Sequence, residues 1–135
     1  DKGLTRDASW NGIKAWLAAN PQRQNELLWS NPRVTFFQEG RIADDSEGPR
    51  GAQGVPLTAG RSIAVDSASI PYGTPVWLSS NSATASINKL VLAQDTGKAI
   101  QGAVRADYFA GSGAQAGAFA ERIHQPLRMW VLLPR

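Results

Sequence analysis

The sequence contains no cysteine, and this absence excludes several kinds of site. Thiol nucleophiles, disulfide frameworks and cysteine-based zinc sites are all ruled out. No run of about 18 apolar residues is present, so no membrane-spanning helix is predicted, and no signal peptide is recognised. Because residue 1 is aspartate rather than methionine, we expect that an upstream segment was removed or was never included.

Histidine is nearly absent, which weakens two further classes of site. The one histidine, His124, stands beside Gln125 at a predicted helix end, and no nucleophile-elbow motif accompanies it. A surface or structural role is therefore favoured over a Ser-His-Asp triad. The one acidic cluster, Asp44-Asp45 with Glu47, is interpreted as a solvated loop tip. The sequence thus predicts no metal site and no cofactor.

Charge of one sign is not in large excess. Fourteen Lys and Arg against 11 Asp and Glu give a net charge of +3, and the basic residues are scattered. Without a basic run interleaved with aromatics, a nucleic-acid partner is not predicted. With 135 residues, of which 42% are hydrophobic, the chain is expected to form a single compact unit. Its five tryptophans suit a core and also a sugar-binding groove.

Residues 1–32 predict a helical segment. Apolar residues recur there at helical spacing: Trp10, Ile13, Trp16 and Leu17. Asp7 is the candidate N-cap. Asn20-Pro21 is expected to end this helix and begin a second one. In the second helix Leu27 and Leu28 are predicted to face inward, and Asn31-Pro32 ends it.

Residues 33–135 predict a mainly β structure with short helices. Residues 40–60 read as a long loop, residues 79–86 as a polar connector, and residues 114–123 as a short helix. Strands are expected at residues 34–37, 62–66, 74–79, 87–94 and 128–133, with a short one around Ile100. Because about six short strands alternate with turn signals, a compact barrel is favoured.

Three aspartates each follow an apolar stretch: Asp66, Asp95 and Asp107. Charges at strand ends tend to be half-buried at the rim of a sheet, where desolvation and neighbouring groups shift the pKa. Any one of them is also explained as a turn cap that accepts backbone N–H groups. The three together are the candidate acid/base groups.

The tripeptide Asp95-Thr96-Gly97 is also similar to the Asp-Thr-Gly of aspartic proteases. A single copy would require a homodimer. Gln94 stands where those proteases usually carry an apolar residue, and Asp107 would be left unexplained. This alternative is therefore disfavoured.

The segment VLAQDTGKAIQG at residues 91–102, followed by RADYF at residues 105–109, resembles the three-aspartate (3D) domain of the membrane-bound lytic transglycosylase A family. Further stretches resemble the same family in the same order, at residues 31–37, 54–66, 70–75, 111–117 and 129–134. One departure is Lys98, which replaces the second of two glycines usual in the family. A longer side chain at this turn could reach a ligand or narrow the groove.

The resemblance implies a six-stranded double-psi β-barrel preceded by two helices. It also implies cleavage of the β-1,4 link between N-acetylmuramic acid and N-acetylglucosamine, with a 1,6-anhydro sugar as product. By motif position, Asp107 corresponds to the catalytic aspartate, Asp95 to its close companion and Asp66 to the third, structural aspartate. Four further residues are implied to bind substrate: Gly97, Lys98, Ala99 and Tyr108.

The chemistry implied by the resemblance needs one acid/base residue. Ordinary glycosidases use two carboxyl groups, one of which activates water or attacks the sugar. If the C6 hydroxyl of the substrate is the nucleophile, a single protonated carboxyl group can donate a proton and later accept one.

The resemblance also implies the partners and the location. The partner is a peptidoglycan glycan strand, and family enzymes carry an upstream half and a second domain that this sequence is expected to lack. The full-length protein is expected in the periplasm, associated with the outer membrane. The alternative function is a non-catalytic barrel module that binds peptidoglycan or another polysaccharide.

Overall fold

The computed structural model describes residues 6–34, 36, 39–40, 44, 47–83 and 85–135. The chain forms two compact units, Asp1–Gly40 and Arg41–Arg135. The boundary predicted between residues 32 and 33 falls inside the first of these units. In the described part of the chain no helix is long and apolar enough to cross a membrane.

The first unit contains two short helices, α1 (Trp10–Ala19) and α2 (Gln24–Leu28), with a 3₁₀ turn at Pro21–Arg23 between them. The N-cap of α1 is Ser9, whose hydroxyl accepts a hydrogen bond from the Gly12 amide at 3.1 Å. The prediction of Asp7 as the cap is wrong, because the helix begins only at Trp10. The Asp7 carboxylate instead accepts the Ser9 amide at 2.9 Å, and this bond lowers the pKa of Asp7.

The apolar face of these helices is narrower than predicted. Leu27 is half-buried, but Leu28 is 60% exposed and Trp10 is 62% exposed. Leu28, the last residue of the short α2, points about 100° away from Leu27, and in this helix only Leu27 is turned inward. Trp16 is half-buried, and the guanidinium of Arg23 lies 5.3 Å from its ring.

The second unit is built on one five-stranded sheet in the order β4-β1-β3-β2-β5. Strands β1 and β3 are parallel, and the other pairs are antiparallel. The strands are β1 (Ser62–Val65), β2 (Pro75–Asn81), β3 (Ser86–Asp95), β4 (Ala106–Tyr108) and β5 (Arg128–Val131). A third helix, α3 (Ala114–Ala120), precedes β5.

Alternation of side chains along the strands separates a core face from an outer face. The core face is fully apolar at its centre, with the partly buried Phe119 of α3 and Met129 of β5 packed against it. Its buried members are Ile63, Val65, Ile70, Val76, Leu78, Ile87, Val91 and Ala93. The outer face keeps large apolar side chains exposed, among them Trp77 and Trp130.

The mainly β fold with short helices is confirmed, but the predicted strand around Ile100 is wrong. Residues 97–100 form a turn closed by a hydrogen bond from the Ile100 amide to the Gly97 carbonyl at 2.9 Å. The Ile100 side chain is buried, as its apolar character indicates, but it anchors a loop and does not belong to a strand. The three-residue strand β4 follows this loop and was not predicted, because three residues are too few to show alternation.

Other predicted bounds shift by a few residues. The polar connector shortens because β2 continues to Asn81 and β3 begins at Ser86, and α3 ends at Ala120. The strand expected at residues 34–37 includes Thr35 and Phe37, which lie outside the described residues, and it stays a prediction. Within the described residues the sheet has five strands rather than six and is open, with β4 and β5 at its edges.

Candidate active site

Asp95 and Asp107 flank the same residue of the central strand β1. Ala64 is paired with Asp107 of β4 on one side and with Asp95 of β3 on the other. Side chains of directly paired residues project from the same face of a sheet. Two strand spacings, about 10 Å, therefore separate the Cα atoms of the two aspartates. The pairing of β1 with β3 is irregular between Ile63 and Ala64, and such a bulge re-aims nearby side chains.

Both aspartates line one open pocket of about 360 Å³. The four residues predicted to bind substrate line it as well: Gly97, Lys98, Ala99 and Tyr108. Sequence reasoning missed the other lining residues, which are Leu57, Ser62, Ile63, Ala64, Thr96, Ile100 and Phe109. Most of them are apolar strand or loop residues that carried no signal beyond the strand pattern.

Asp95 is half-buried and anchored by a distant loop. Its Oδ1 accepts a hydrogen bond from the amide of Ala52 at 2.9 Å. The neighbouring Gly51 packs so closely that a Cβ atom there would lie 2.5 Å from the carbonyl oxygen of Gln94. Glycine at position 51 thus allows the loop to approach β3 and bring the Ala52 amide to the carboxylate. Neither Gly51 nor Ala52 was singled out from the sequence.

Asp66 is absent from the pocket and is held by backbone amides. Its Oδ2 accepts the Gly102 amide at 2.8 Å, and its Oδ1 accepts the Ala68 amide at 3.0 Å. These two hydrogen bonds, the one from Gly102 first, lower the pKa of the Asp66 carboxyl group. The carboxylate therefore ties the end of β1 to the end of the loop at residues 96–102.

The loop at residues 96–102, called the pocket loop below, is fixed at three points. At its start the Thr96 hydroxyl donates to the Val65 carbonyl at 2.8 Å. In its middle the Ile100 side chain is buried, and at its end Gly102 is bound to Asp66. Lys98 and Ala99 remain exposed between these points. The loop can therefore present Lys98 and Ala99 to a ligand without rearranging.

Asp107 differs from the other two aspartates. Its side chain is exposed rather than half-buried as predicted, because it projects from the short edge strand β4. Within the described part of the chain its carboxylate makes no hydrogen bond and no salt bridge. The adjacent Tyr108 is half-buried, with its ring 6.2 Å from that of Phe119. The carboxylate is thus free to meet a ligand, on a strand fixed by core packing.

Metal binding has little support in this region. Among the described residues, no three His, Asp or Glu side chains are placed to hold a metal ion together. The arrangement instead offers one free carboxyl group, one anchored carboxylate and a polar loop around a groove-like opening. This set suits proton transfer to and from a bound neutral ligand.

Two family models match the chain. Residues 61–133 match the 3D domain, and residues 1–38 match the MltA specific insert domain. The chain therefore belongs to the 3D domain family. The pairing of the two matches, with the relatives below, places it more narrowly in the membrane-bound lytic murein transglycosylase A family. Residues 1–32, predicted as a helical segment, thus belong to a second family domain, and the expectation that the chain carries no such domain is wrong for residues 1–38.

Relatives and solved structures of this family are similar over nearly the whole chain. Membrane-bound lytic murein transglycosylase A of Escherichia coli strain K12 is 33% identical over 98% of the chain, which spans 38% of that relative. A lytic transglycosylase, LtgG, of Burkholderia pseudomallei is 55% identical, with a TM-score of 0.64, over 93% of this chain and 38% of that one.

Two further structures carry the name MltA. The one from Neisseria gonorrhoeae has a TM-score of 0.84 and 41% identity over 99% of this chain and 35% of that one. The E. coli protein with bound chitohexaose has a TM-score of 0.75 and 29% identity, covering 88% of this chain and 37% of that one. The chain thus spans little more than a third of the length of these proteins.

Proposed function

We propose that this chain is the catalytic barrel part of a peptidoglycan lytic transglycosylase, with Asp107 as its acid/base residue. The observation that carries the proposal is the contrast among the three aspartates. Asp66 and Asp95 accept hydrogen bonds from backbone amides, whereas the Asp107 carboxylate, at an open pocket, accepts none from the described residues. A group that must give up and accept a proton is best placed where no fixed donor holds it in one state.

The proposed reaction cleaves the β-1,4 link between N-acetylmuramic acid and N-acetylglucosamine. Protonated Asp107 donates its proton to the glycosidic oxygen as the C1–O bond of the muramic acid breaks. The C6 hydroxyl of the same sugar then bonds to C1, and its proton returns to Asp107. The product is a 1,6-anhydro sugar, and no water is consumed. Asp95, fixed by Ala52, would stabilise the positive charge that develops on the sugar ring.

The pocket loop is proposed to position the glycan beside these carboxylates. Lys98 brings an exposed ammonium group to the pocket wall, next to Gly97 and Ala99, and Tyr108 contributes an amphipathic aromatic surface. Chitohexaose bound to the E. coli relative supports a glycan as the ligand class. The remote anchoring of this loop would supply the orientation on which transition-state positioning depends.

The outer face of the sheet supports a proposal for the partner. Leu90, Trp77 and Trp130 are paired across β3, β2 and β5, so their side chains form one row across the sheet. They are 41%, 42% and 47% exposed, an unusual surface for a free protein. Because the relatives are far longer than this chain, we propose that an upstream half of the same enzyme covers the row.

That upstream half is further proposed to complete a six-stranded double-psi β-barrel with the sheet described above. Co-expressing such a segment should raise the Tm of the chain, and Trp77→Ser should remove the gain. An undiminished gain in the Trp77→Ser variant would contradict this partner. In its complete form the protein is proposed to act in the periplasm at the outer membrane, where peptidoglycan is available.

The test of the function is the chemistry of the product. Digestion of purified peptidoglycan by the chain together with the upstream half should release muropeptides ending in 1,6-anhydro-N-acetylmuramic acid, detected by mass spectrometry. The chain alone should be weak or inactive, because one wall of the groove is missing. Reducing ends instead would indicate hydrolysis. Binding to peptidoglycan with no cleavage in either preparation would favour the alternative, a non-catalytic polysaccharide-binding module.

A further inference from the structure

A second pocket meets the active-site pocket at Asp107. It has a volume of about 510 Å³ and is formed by two segments, residues 104–107 before and within β4 and residues 123–127 before β5. Asp107 is the one residue that lines both pockets. Asp107 and Tyr108 also line a third pocket, of about 320 Å³. A ligand that extends from Asp107 toward Arg105 enters the second pocket, called the acid-side pocket below.

The acid-side pocket carries cationic and N–H donor groups that have no use in the reaction proposed above. Arg105 lines it, is exposed, and forms no salt bridge within the described ranges. Arg105 and Asp107 are two residues apart at an edge strand, a spacing that places side chains on one side. His124 lines the opposite wall and offers a ring N–H in its neutral or its charged form.

Gln125 adds an unmet acceptor to the same pocket. Its amide nitrogen donates to the Ser80 hydroxyl at 2.7 Å and to the Ala85 carbonyl at 3.3 Å. These bonds fix the orientation of the amide. Its other atom, Oε1, is buried and has no hydrogen-bond partner in the described part of the chain. Buried acceptors are nearly always satisfied, so an unmet one points to a missing donor.

We propose that the acid-side pocket binds the carboxylate-bearing substituent of the muramic acid residue. Arg105, with His124, would bind the carboxylate, beside Gln125, whose amide group is fixed by Ser80 and Ala85. The carboxylate can belong to a free lactyl group or to a peptide attached to it, and the shared chemistry is what the pocket recognises. This inference rests on the proposed function, since it assumes that the glycan strand lies at Asp107.

The test measures binding rather than turnover. The 135-residue chain carrying Asp107→Asn, which blocks cleavage, is titrated calorimetrically with three tetrasaccharides. They are chitotetraose, the peptidoglycan tetrasaccharide with free lactyl carboxylates, and the same tetrasaccharide with peptides attached. Since an exposed ion pair is worth up to about 1 kcal/mol, a preference of about fivefold over chitotetraose is expected for the carboxylate-bearing ligands.

Variants of Arg105 identify the source of that preference. Arg105→Ala should abolish it while leaving the affinity for chitotetraose unchanged, and Arg105→Lys should retain most of it. The matched control is Arg128→Ala, which removes the same charge from an exposed position of β5 that does not line the pocket. A larger gain with the peptide-bearing ligand assigns the pocket to the peptide, and equal gains assign it to the lactyl group.

Two other outcomes are distinguishable. A preference that survives Arg105→Ala, or no preference at all while chitotetraose binds, overturns this inference and leaves the proposed function standing. If none of the three glycans binds even when the upstream half is present, the proposed function fails and the inference fails with it.

Discussion

Asp66 and Asp107 lie near the ends of neighbouring strands, yet their surroundings are opposite. The Asp66 carboxylate is held by two backbone amides with both oxygens engaged. The Asp107 carboxylate lies exposed on an edge strand, and no donor among the described residues binds it. The three aspartates are chemically identical in the sequence. Their different roles, with Asp66 holding the pocket loop, Asp95 anchored beside the site and Asp107 available to a ligand, therefore depend on which backbone amides the fold brings near each of them. The predictions below test that separation of roles, beginning with the largest expected effect.

Asp107→Asn should lower turnover of peptidoglycan by about 10²–10⁴-fold, the usual contribution of general acid/base catalysis. The amide preserves the shape of the side chain but cannot transfer the proton. Because the carboxylate is unengaged in the fold, Tm should stay within about 1 °C of the unsubstituted protein, a change that corresponds to a few tenths of a kcal/mol. Anhydro-muropeptide release and Tm are measured in the preparation that shows activity.

The matched control for Asp107→Asn is Asp66→Asn, the same chemical change outside the pocket. The Asp66 variant should keep most of its turnover and lose stability. Should Asp66→Asn lose turnover as completely as Asp107→Asn does, at a temperature where both are folded, the separation of roles described above is wrong.

Gly51→Ala should disrupt the loop that holds Asp95 in place. A methyl group at position 51 would lie 2.5 Å from the Gln94 carbonyl oxygen, so the loop must retreat and the Ala52 amide must leave Asp95. Overpacking of this kind costs about 1–3 kcal/mol. A urea titration should show this loss in the free energy of unfolding, with reduced turnover.

Gly117→Ala is the matched control for Gly51→Ala. It adds the same methyl group, but in α3 nothing lies within 4 Å of it. Replacing a helical glycine with alanine removes backbone freedom from the unfolded chain, and stability should rise by up to about 1 kcal/mol. If the two substitutions have the same effect, the close approach at Gly51 is not the reason for glycine there.

Asp95→Asn should be milder than Asp107→Asn. The one hydrogen bond that Asp95 is seen to accept involves Oδ1, and an amide oxygen can take it over. What is lost is the negative charge. Unit charges about 4 Å apart in the dielectric of water interact by about 1 kcal/mol, which gives a decrease in turnover of about fivefold. Turnover of the Asp95 and Asp107 variants is compared side by side. If Asp95→Asn is the more damaging of the two, their proposed roles must be exchanged.

The sequence predicted the strands that contain several alternating apolar residues and missed what depends on single contacts. Strands β1, β2, β3 and β5 appear within a few residues of their predicted bounds, because burial of one face imposes period two. The signal at Ile100 was misread, since one buried apolar residue fits a loop anchor as well as a strand. Nothing in the sequence could show that Ala52 reaches Asp95, a contact across 43 residues.

In the candidate site, too, features set by local sequence were predicted and features set by long-range contacts were missed. The motif around Asp95 and Asp107 carried enough information to predict that both would line one pocket with residues 97–99 and Tyr108. The exposure of Asp107 was mispredicted because β4 is an edge strand, and edge position depends on strand order rather than on local sequence. The acid-side pocket was missed because His124 and Gln125 approach Arg105 only through the return of the chain into β5.

The smallest expected effect is on how the stability of the folded chain depends on pH. It distinguishes a carboxylate that is held by backbone amides, as Asp66 is, from one that is only solvated. The pKa of Asp66 is lowered from its ordinary value of 3.8, chiefly by the Gly102 amide. A lowered pKa in the folded state means that the unfolded chain binds the proton more readily. The stabilisation by Asp66 is therefore complete above pH 4 and is lost as the pH falls through the lowered pKa.

In Asp66→Asn one oxygen is replaced by an NH₂ group, which cannot accept the second amide. The variant should therefore melt below the unsubstituted protein at pH 7, and the two melting curves should converge as the pH is lowered toward 2. Comparing the two proteins at each pH cancels the parallel contribution of Asp7, whose pKa is also lowered. Asp107→Asn, the same chemical change at a carboxyl group that accepts no hydrogen bond from the described residues, serves as the reference variant. A constant difference for Asp66→Asn across the same range would mean that its hydrogen bonds to Gly102 and Ala68 do not stabilise the ionised carboxylate, and that the pocket loop is held by Thr96 and Ile100 instead.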